Sequence, residues 1–248
     1  MTNNNQISEF AHILGDVKIG TGNFVSPGAV IIGPVIIGNN NYFGPNCVIG
    51  TPPQDDKISV ESHKTSSLGN LGDFFEVQIG DNNVIREFVT VHKGITSPTR
   101  IGNNCYLMSY AHIAHDCNIY DNVKIANNVQ MGGYTSILSG AYIGLSAVLH
   151  QFSVIGHYSM IGMGSTTTRN IPPTGLAIGS PSRVMKVNKT ALLKLGILEF
   201  DWSTKFIENP NSETIHPSLM KEFVEYLQVV DSRSSQRIEL SNLRSSME

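Results

Sequence analysis

Large apolar residues recur at every sixth position along most of this chain. Ile13, Ile19, Val25, Ile31, Ile37, Phe43 and Ile49 lie six apart, and Ile79, Ile85 and Val91 resume the phase. After a four-residue offset the series runs through Ile101, Leu107, Ile113, Ile119, Ile125, Met131, Ile137, Ile143, Leu149, Ile155 and Ile161. A helix repeats about every 3.6 residues and a simple strand every two, so neither element alone produces this period. A short strand followed by a corner does. Four residues after each anchor of the last block stand Cys105, Ala111, Cys117, Val123, Val129, Thr135, Ala141, Ala147, Ser153, Ser159 and Ser165, all small or β-branched. One large and one small side chain thus point inward on each side. Three sides close a coil of 18 residues, and stacked coils pair through their backbones into a parallel β-helix. Gly38-Asn39, Gly80-Asp81 and Gly102-Asn103 fall where corners are due, and Gly and Asn best tolerate the positive φ that a tight corner demands.

The rhythm breaks at residues 51–76, which must loop out, and more briefly at GITSPTR, residues 94–100. It ends after Ile161. Leu219, Met220, Phe223, Val224, Tyr226, Leu227 and Val230 then show helical spacing, with Pro217 suited to a first helical turn. The expected organisation is a β-helix over residues 1–186, carrying the inserted loop, and a small helical portion over 187–248. The polar stretch from Ser234 onward carries no pattern that places it.

Composition narrows the function classes. A net charge of −3 with 15% charged residues gives no global attraction for nucleic acid or an anionic membrane. The opening MTNNNQISEF has neither the basic region nor the apolar core of a secretion signal, and AVIIGPVIIG is too short to span a bilayer. Three cysteines, an odd number without an export signal, point to reduced thiols and a cytoplasmic setting. Cys47, Cys105 and Cys117 all take the inward small position, which makes them core filler.

Residues 18 apart in such a fold stack in a column, one strand spacing of about 5 Å apart. Allowing for the offset, Lys93, His115, Gly133 and Gln151 share one column, and His92, Ala114, Gly132 and His150 share the next. Polar and titratable groups therefore collect on one edge of the prism. Three readings of that edge stand open. The groups are ordinary solvated decoration, or His112, His115 and Asp116 are metal ligands, or they form a catalytic cluster.

Ile85-Arg86-Glu87, Val91-His92-Lys93-Gly94, Ala111-His112-Ile113-Ala114-His115-Asp116-Cys117, Asn127-Asn128, His150-Gln151-Phe152 and Ile171-Pro172-Pro173 resemble the UDP-N-acetylglucosamine 3-O-acyltransferases of lipid A biosynthesis. The resemblance runs from about residue 13 to 196. It implies a left-handed β-helix, a homotrimer with active sites between subunits, and transfer of a 3-hydroxyacyl group to a UDP-sugar. The donor it implies is the phosphopantetheine thioester of acyl carrier protein, with no metal and no further cofactor. His115 would be the general base, Asp116 its orienting partner, and Gly133 the source of the oxyanion-stabilising N–H. Asp55, Lys57, His92, His112 and Gln151 match contacts to the sugar nucleotide.

The chain also departs from the family. Tyr134 stands where the family has a histidine beside the substrate. A basic pair that meets nucleotide phosphates and carrier protein becomes Lys194-Leu195. The loop after Gln54 is longer, and GITSPTR is shorter and lacks a glycine run. Met163 falls where some members of that family have glycine at the far end of the acyl groove, so the resemblance implies that its bulk would favour a short or medium chain; its bland role is to fill space between subunits. Arg183, Lys186, Lys189, Lys194 and Lys205 against Glu199 and Asp201 make residues 183–205 net positive, which suits an acidic carrier protein or simply a solvated helical face. Two other functions remain beside O-acylation: N-acylation of a nucleotide-linked amino sugar, and a catalytically silent hexapeptide scaffold.

Overall fold

A computed structural model of the protein describes residues 4–69, 74–197 and 219–245. The six-residue rhythm becomes a three-sided parallel β-helix, with sheets of ten, eight and seven strands on its faces. The register follows the anchors. Val91 pairs with Ile113 and Ile113 with Met131, so each anchor stacks on the anchor of the next coil. These columns and the small-residue columns form one continuous core from Val25 to Ala177. Ile13 is the exception. It sits 36% exposed because its strand, His12–Leu14, is the end strand of its sheet, with no coil beyond it.

The corners correct one expectation. The left-handed residue is not in the Gly-Asn pairs but directly after them, at Asn40, Asn82 and Asn104, three residues past each anchor. The second member of each pair has another task. The Asn39 carboxamide oxygen accepts the Thr21 N–H at 2.9 Å, Asp81 accepts from Asn39, Asn103 accepts from Asp81, and Asp121 accepts from Asn103. A second ladder runs inside the coil, where Asn41 accepts from the Asn83 N–H and Asn83 from the Cys105 N–H. Both ladders satisfy corner N–H groups that have no strand partner.

The insertion contains a helix that the repeat analysis missed, α1 at Val60–Ser67, capped by the Ser59 hydroxyl. Its pattern is too short and polar to register as periodic. Beyond the last coil, Gly175–Gly179 and Ser182–Val187 form an antiparallel pair that extends the first face. Among the described residues two more helices follow, α2 at Lys189–Lys194 and α3 at Met220–Ser245. Phe223 and Tyr226 of α3 are buried, Tyr226 against Leu138 and Val154 of the seven-stranded face. Val224 and Leu227, which share the helical spacing, are about half exposed at 48% and 47%. They lie on the side of α3 turned away from the coil. Among the described residues no helix is long and apolar enough to cross a membrane. Pro217 and Lys205, with Glu199 and Asp201, lie outside the described residues.

Asn41 is 2% exposed and links Asn23 to Asn83. Asn41→Ala strands the Asn83 N–H inside the coil, a loss of about 1–3 kcal/mol. The expected result is a lower denaturant midpoint with an unchanged slope; an unchanged midpoint would show that the ladder contributes nothing to stability.

Candidate active site

The corner geometry places the histidine pair. Asp116 occupies the left-handed position after Ile113, at φ 58°, and its side chain turns back beneath GITSPTR. Its carboxylate accepts the N–H groups of Ile95 at 2.8 Å, Thr96 at 2.8 Å and Ser97 at 2.7 Å, and the Thr96 hydroxyl at 2.8 Å. The short loop is therefore wrapped around one buried anion. Burial alone would raise the Asp116 carboxyl, but the hydrogen bonds from His115, Ile95 and Thr96 outweigh it and hold the group below its ordinary range. The Ser97 hydroxyl donates at 3.2 Å, and His115 Nδ1 stands 2.8 Å from Asp116 Oδ2.

The predicted column holds. A Cβ added to Gly133 would meet His115 Cε1 at 2.5 Å and Nε2 at 2.7 Å, so the imidazole lies directly over the Gly133 backbone and any side chain there would displace it. The Gly133 N–H donates to no group among the described residues. Gln151, one coil further, is exposed. It and His150 open on a cavity of about 420 Å³ shared with Arg169, Arg233 and Arg237. A larger groove of about 710 Å³ lies over the seven-stranded face at Ile36, Gln78 and Tyr120, and none of these candidate site residues lines it.

Tyr134 and Phe152 fall in the same left-handed column as Asp116, and all three have positive φ. Tyr134 stands edge-on to His115 with centroids 5.1 Å apart, and Phe152 stacks on it at 4.6 Å. The 18-residue spacing of Asp116, Tyr134 and Phe152 could have revealed this stack from sequence. His112 Nδ1 pairs with the Thr90 hydroxyl at 2.8 Å, and its ring meets His92 edge-on at 4.8 Å. His92 and His112 therefore reach the same edge as His115.

Lys93 departs from expectation. It shares the His115 column, yet its ammonium turns under the insertion, fully buried, and bonds the Ser66 hydroxyl of α1 at 2.9 Å. Burial pushes it down to about 8. Asp55 is spent locally, its carboxylate accepting the Lys57 N–H at 2.9 Å, and the Lys57 side chain is exposed. Met163 is 75% exposed. Arg183, Lys186, Lys189 and Lys194 are all exposed, and among the described residues none pairs with a carboxylate. The same residues contain no group of three His, Cys, Asp or Glu arranged to hold a metal ion.

Residues 98–133 match the family described as bacterial transferase hexapeptide (six repeats). Among curated proteins, the chain is 41% identical over 157 residues to the acyl-[acyl-carrier-protein]–UDP-N-acetylglucosamine O-acyltransferase of Gloeothece citriformis, covering 62% of this chain and 52% of that protein. It is 38% identical over 191 residues to the enzyme of the same name from Synechocystis, covering 76% and 58%. The chain is a homologue of the UDP-N-acetylglucosamine O-acyltransferases. It spans just over half the length of these curated relatives. The solved UDP-N-acetylglucosamine acyltransferase of Bacteroides fragilis superposes with a TM-score of 0.68 at 26% identity, covering 92% of this chain and 96% of that one. The Campylobacter jejuni enzyme superposes at 0.56 and 28%, covering 83% and 79%.

His92 carries a pH signature. Its burial, with repulsion from His112 and His115, pushes it down to about 3, and burial also lowers His112. The unfolded chain holds ordinary histidines near 6.5, so below about that pH it takes up protons that the folded chain refuses. Stability present above that pH is lost progressively as pH falls toward the folded values. Thermal melting should fall across this window, and His92→Gln should flatten the fall; identical profiles for both proteins would contradict the assignment.

Proposed function

We propose that this chain transfers an acyl group from acyl carrier protein to the 3-hydroxyl of UDP-N-acetylglucosamine, as its relatives are named for doing, in lipid A synthesis. The observation that carries the reading is the His115–Asp116 pair laid over a glycine whose N–H is unspent. Asp116, saturated by the 95–97 loop, accepts the Nδ1–H of His115 and fixes the tautomer in which Nε2 is the base. Nε2 takes the proton of the sugar hydroxyl as its oxygen attacks the thioester carbonyl. A C–O bond forms, and negative charge collects on the former carbonyl oxygen, where the Gly133 N–H can receive it. The C–S bond then breaks, and the proton held by His115 goes to the departing phosphopantetheine thiolate. No cofactor enters this sequence.

Several side chains suit substrate roles. His92, His112 and Gln151 lie on the same edge, and Tyr134 walls the base from the Phe152 side. Asp55, Lys57 and Lys194 would reach the sugar nucleotide. The exposed Arg183, Lys186 and Lys189 fit an acidic carrier protein. Leu145, Val148 and Met163, at 45%, 43% and 75% exposed, leave an apolar strip on the coil. A second copy of the chain would cover that strip in a homotrimer and close the edge into a cleft. There Met163 would limit acyl length. Reduced Cys47, Cys105 and Cys117 fit a cytoplasmic enzyme.

The test is a mass-spectrometric transfer assay with a panel of 3-hydroxyacyl carrier proteins and two acceptors, UDP-N-acetylglucosamine and its 3-amino analogue. Product from the ordinary sugar, abolished by His115→Ala to within background, is expected. Product from the amine alone would move the chain to N-acylation, and transfer undiminished in His115→Ala would remove the base. Met163→Gly should lengthen the preferred acyl chain; an unchanged preference would refute the ruler. Sedimentation as a monomer at micromolar concentration would count against a cleft between subunits.

A further inference from the structure

Arg233 is the one charged residue of α3 that the described structure buries, at 5% exposed. It continues the buried stripe of Phe223 and Tyr226 at helical spacing, where an apolar side chain would be expected. Burying a guanidinium is costly unless every donor direction finds an acceptor. Here one acceptor belongs to the candidate site itself. Nη2 donates to the backbone carbonyl of Asp116 at 3.0 Å, Nε donates to the Ser136 hydroxyl at 2.9 Å, and Nη1 donates to the Gln236 side chain at 2.8 Å. Gln236 in turn donates to the Thr96 hydroxyl at 3.0 Å, and that hydroxyl donates to the Asp116 carboxylate. One helix therefore grips Asp116 from two sides. Arg233 holds its main chain, and Gln236 holds the loop that wraps its carboxylate.

From this arrangement we infer that Arg233, with Gln236, positions the His115–Asp116 pair, making α3 a working part of the active site as well as a cover for the coil. Asp116 sits in a left-handed corner, and its side chain is aimed by its own φ and ψ. A bond to its carbonyl fixes the peptide plane that follows, and so fixes the direction from which Oδ2 meets His115 Nδ1. Arg233 touches neither reacting atom. Its planar fork bridges three acceptors at once, which a lysine cannot reproduce. The catalytic consequence rests on the function proposed above. The geometric one does not.

The experiment therefore reads both. In protein labelled with 15N-histidine, the Nδ1–H of His115 should give a hydrogen-bonded proton resonance that His115→Gln removes. Arg233→Gln should shift or broaden that resonance, Gln236→Ala should do so more weakly, and Arg233→Lys should restore it in part. In the transfer assay, Arg233→Gln should lower kcat roughly tenfold to a hundredfold with KM little changed, the pattern of a misaimed base. A folded Arg233→Gln protein whose His115 resonance matches the parent would overturn the inference, whatever its activity. Shifted resonances in a chain that transfers no acyl group would keep the positioning role and refute the proposed reaction. If Arg233→Gln does not fold, Gln236→Ala alone decides. Its side chain is half-buried near the helix surface, and an unchanged resonance there overturns the inference equally.

Discussion

Each coil of this protein is held by the N–H···O=C ladder that it shares with its neighbours, and that ladder works only while the coils stay in phase. Parallel strands leave no freedom to slip. A shift by one residue would turn every inward isoleucine outward and every corner residue into a strand. The strict six-residue spacing, the small partner four residues on and the left-handed residue three residues on are consequences of that requirement. So are the asparagine ladders, which satisfy corner N–H groups that the strands cannot reach.

The same constraint builds the site. A residue in the left-handed corner position turns its side chain along the edge of the prism, and successive coils repeat that direction. Asp116, Tyr134 and Phe152 all occupy this position. His115, one residue earlier, is laid over Gly133 of the next coil because the column admits nothing larger there. The regular fold supplies the alignment, and an irregular segment supplies the electrostatics: three consecutive backbone N–H groups of residues 95–97 converge on one carboxylate. A buried aspartate with that many donors stays ionised and fixed, which suits a group meant to orient a histidine rather than to exchange protons itself.

Much of this was legible in the sequence. The anchors define the coil, the coil defines the columns, and the columns bring His115 beside Gly133 by spacing alone. The departures share one cause, which is that contacts made by segments outside the repeat have no period to read. Lys93 obeys the column in its backbone but sends its ammonium under α1, a helix too short and polar to be seen as periodic. GITSPTR looked like a protrusion, yet it is the wrapping of Asp116. The helical spacing of α3 was visible, while which of its apolar residues are buried depends on where the helix docks, and Val224 and Leu227 stay half exposed.

The architecture follows from the order of residues alone, because a backbone ladder repeated every 18 residues imposes a local pattern that can be counted. That order also determines which coil edge carries the histidines, since stacking is arithmetic once the coil length is known. How Asp116 is held depends instead on contacts between distant segments. Its carboxylate partners come from the loop around residues 95–97 and its carbonyl partner from Arg233, 117 residues along the chain. Nothing in the local sequence of a polar helix distinguishes an arginine facing water from one folded back onto the candidate active-site corner; that depends on where the helix docks, which is a matter of packing between surfaces that no single stretch encodes.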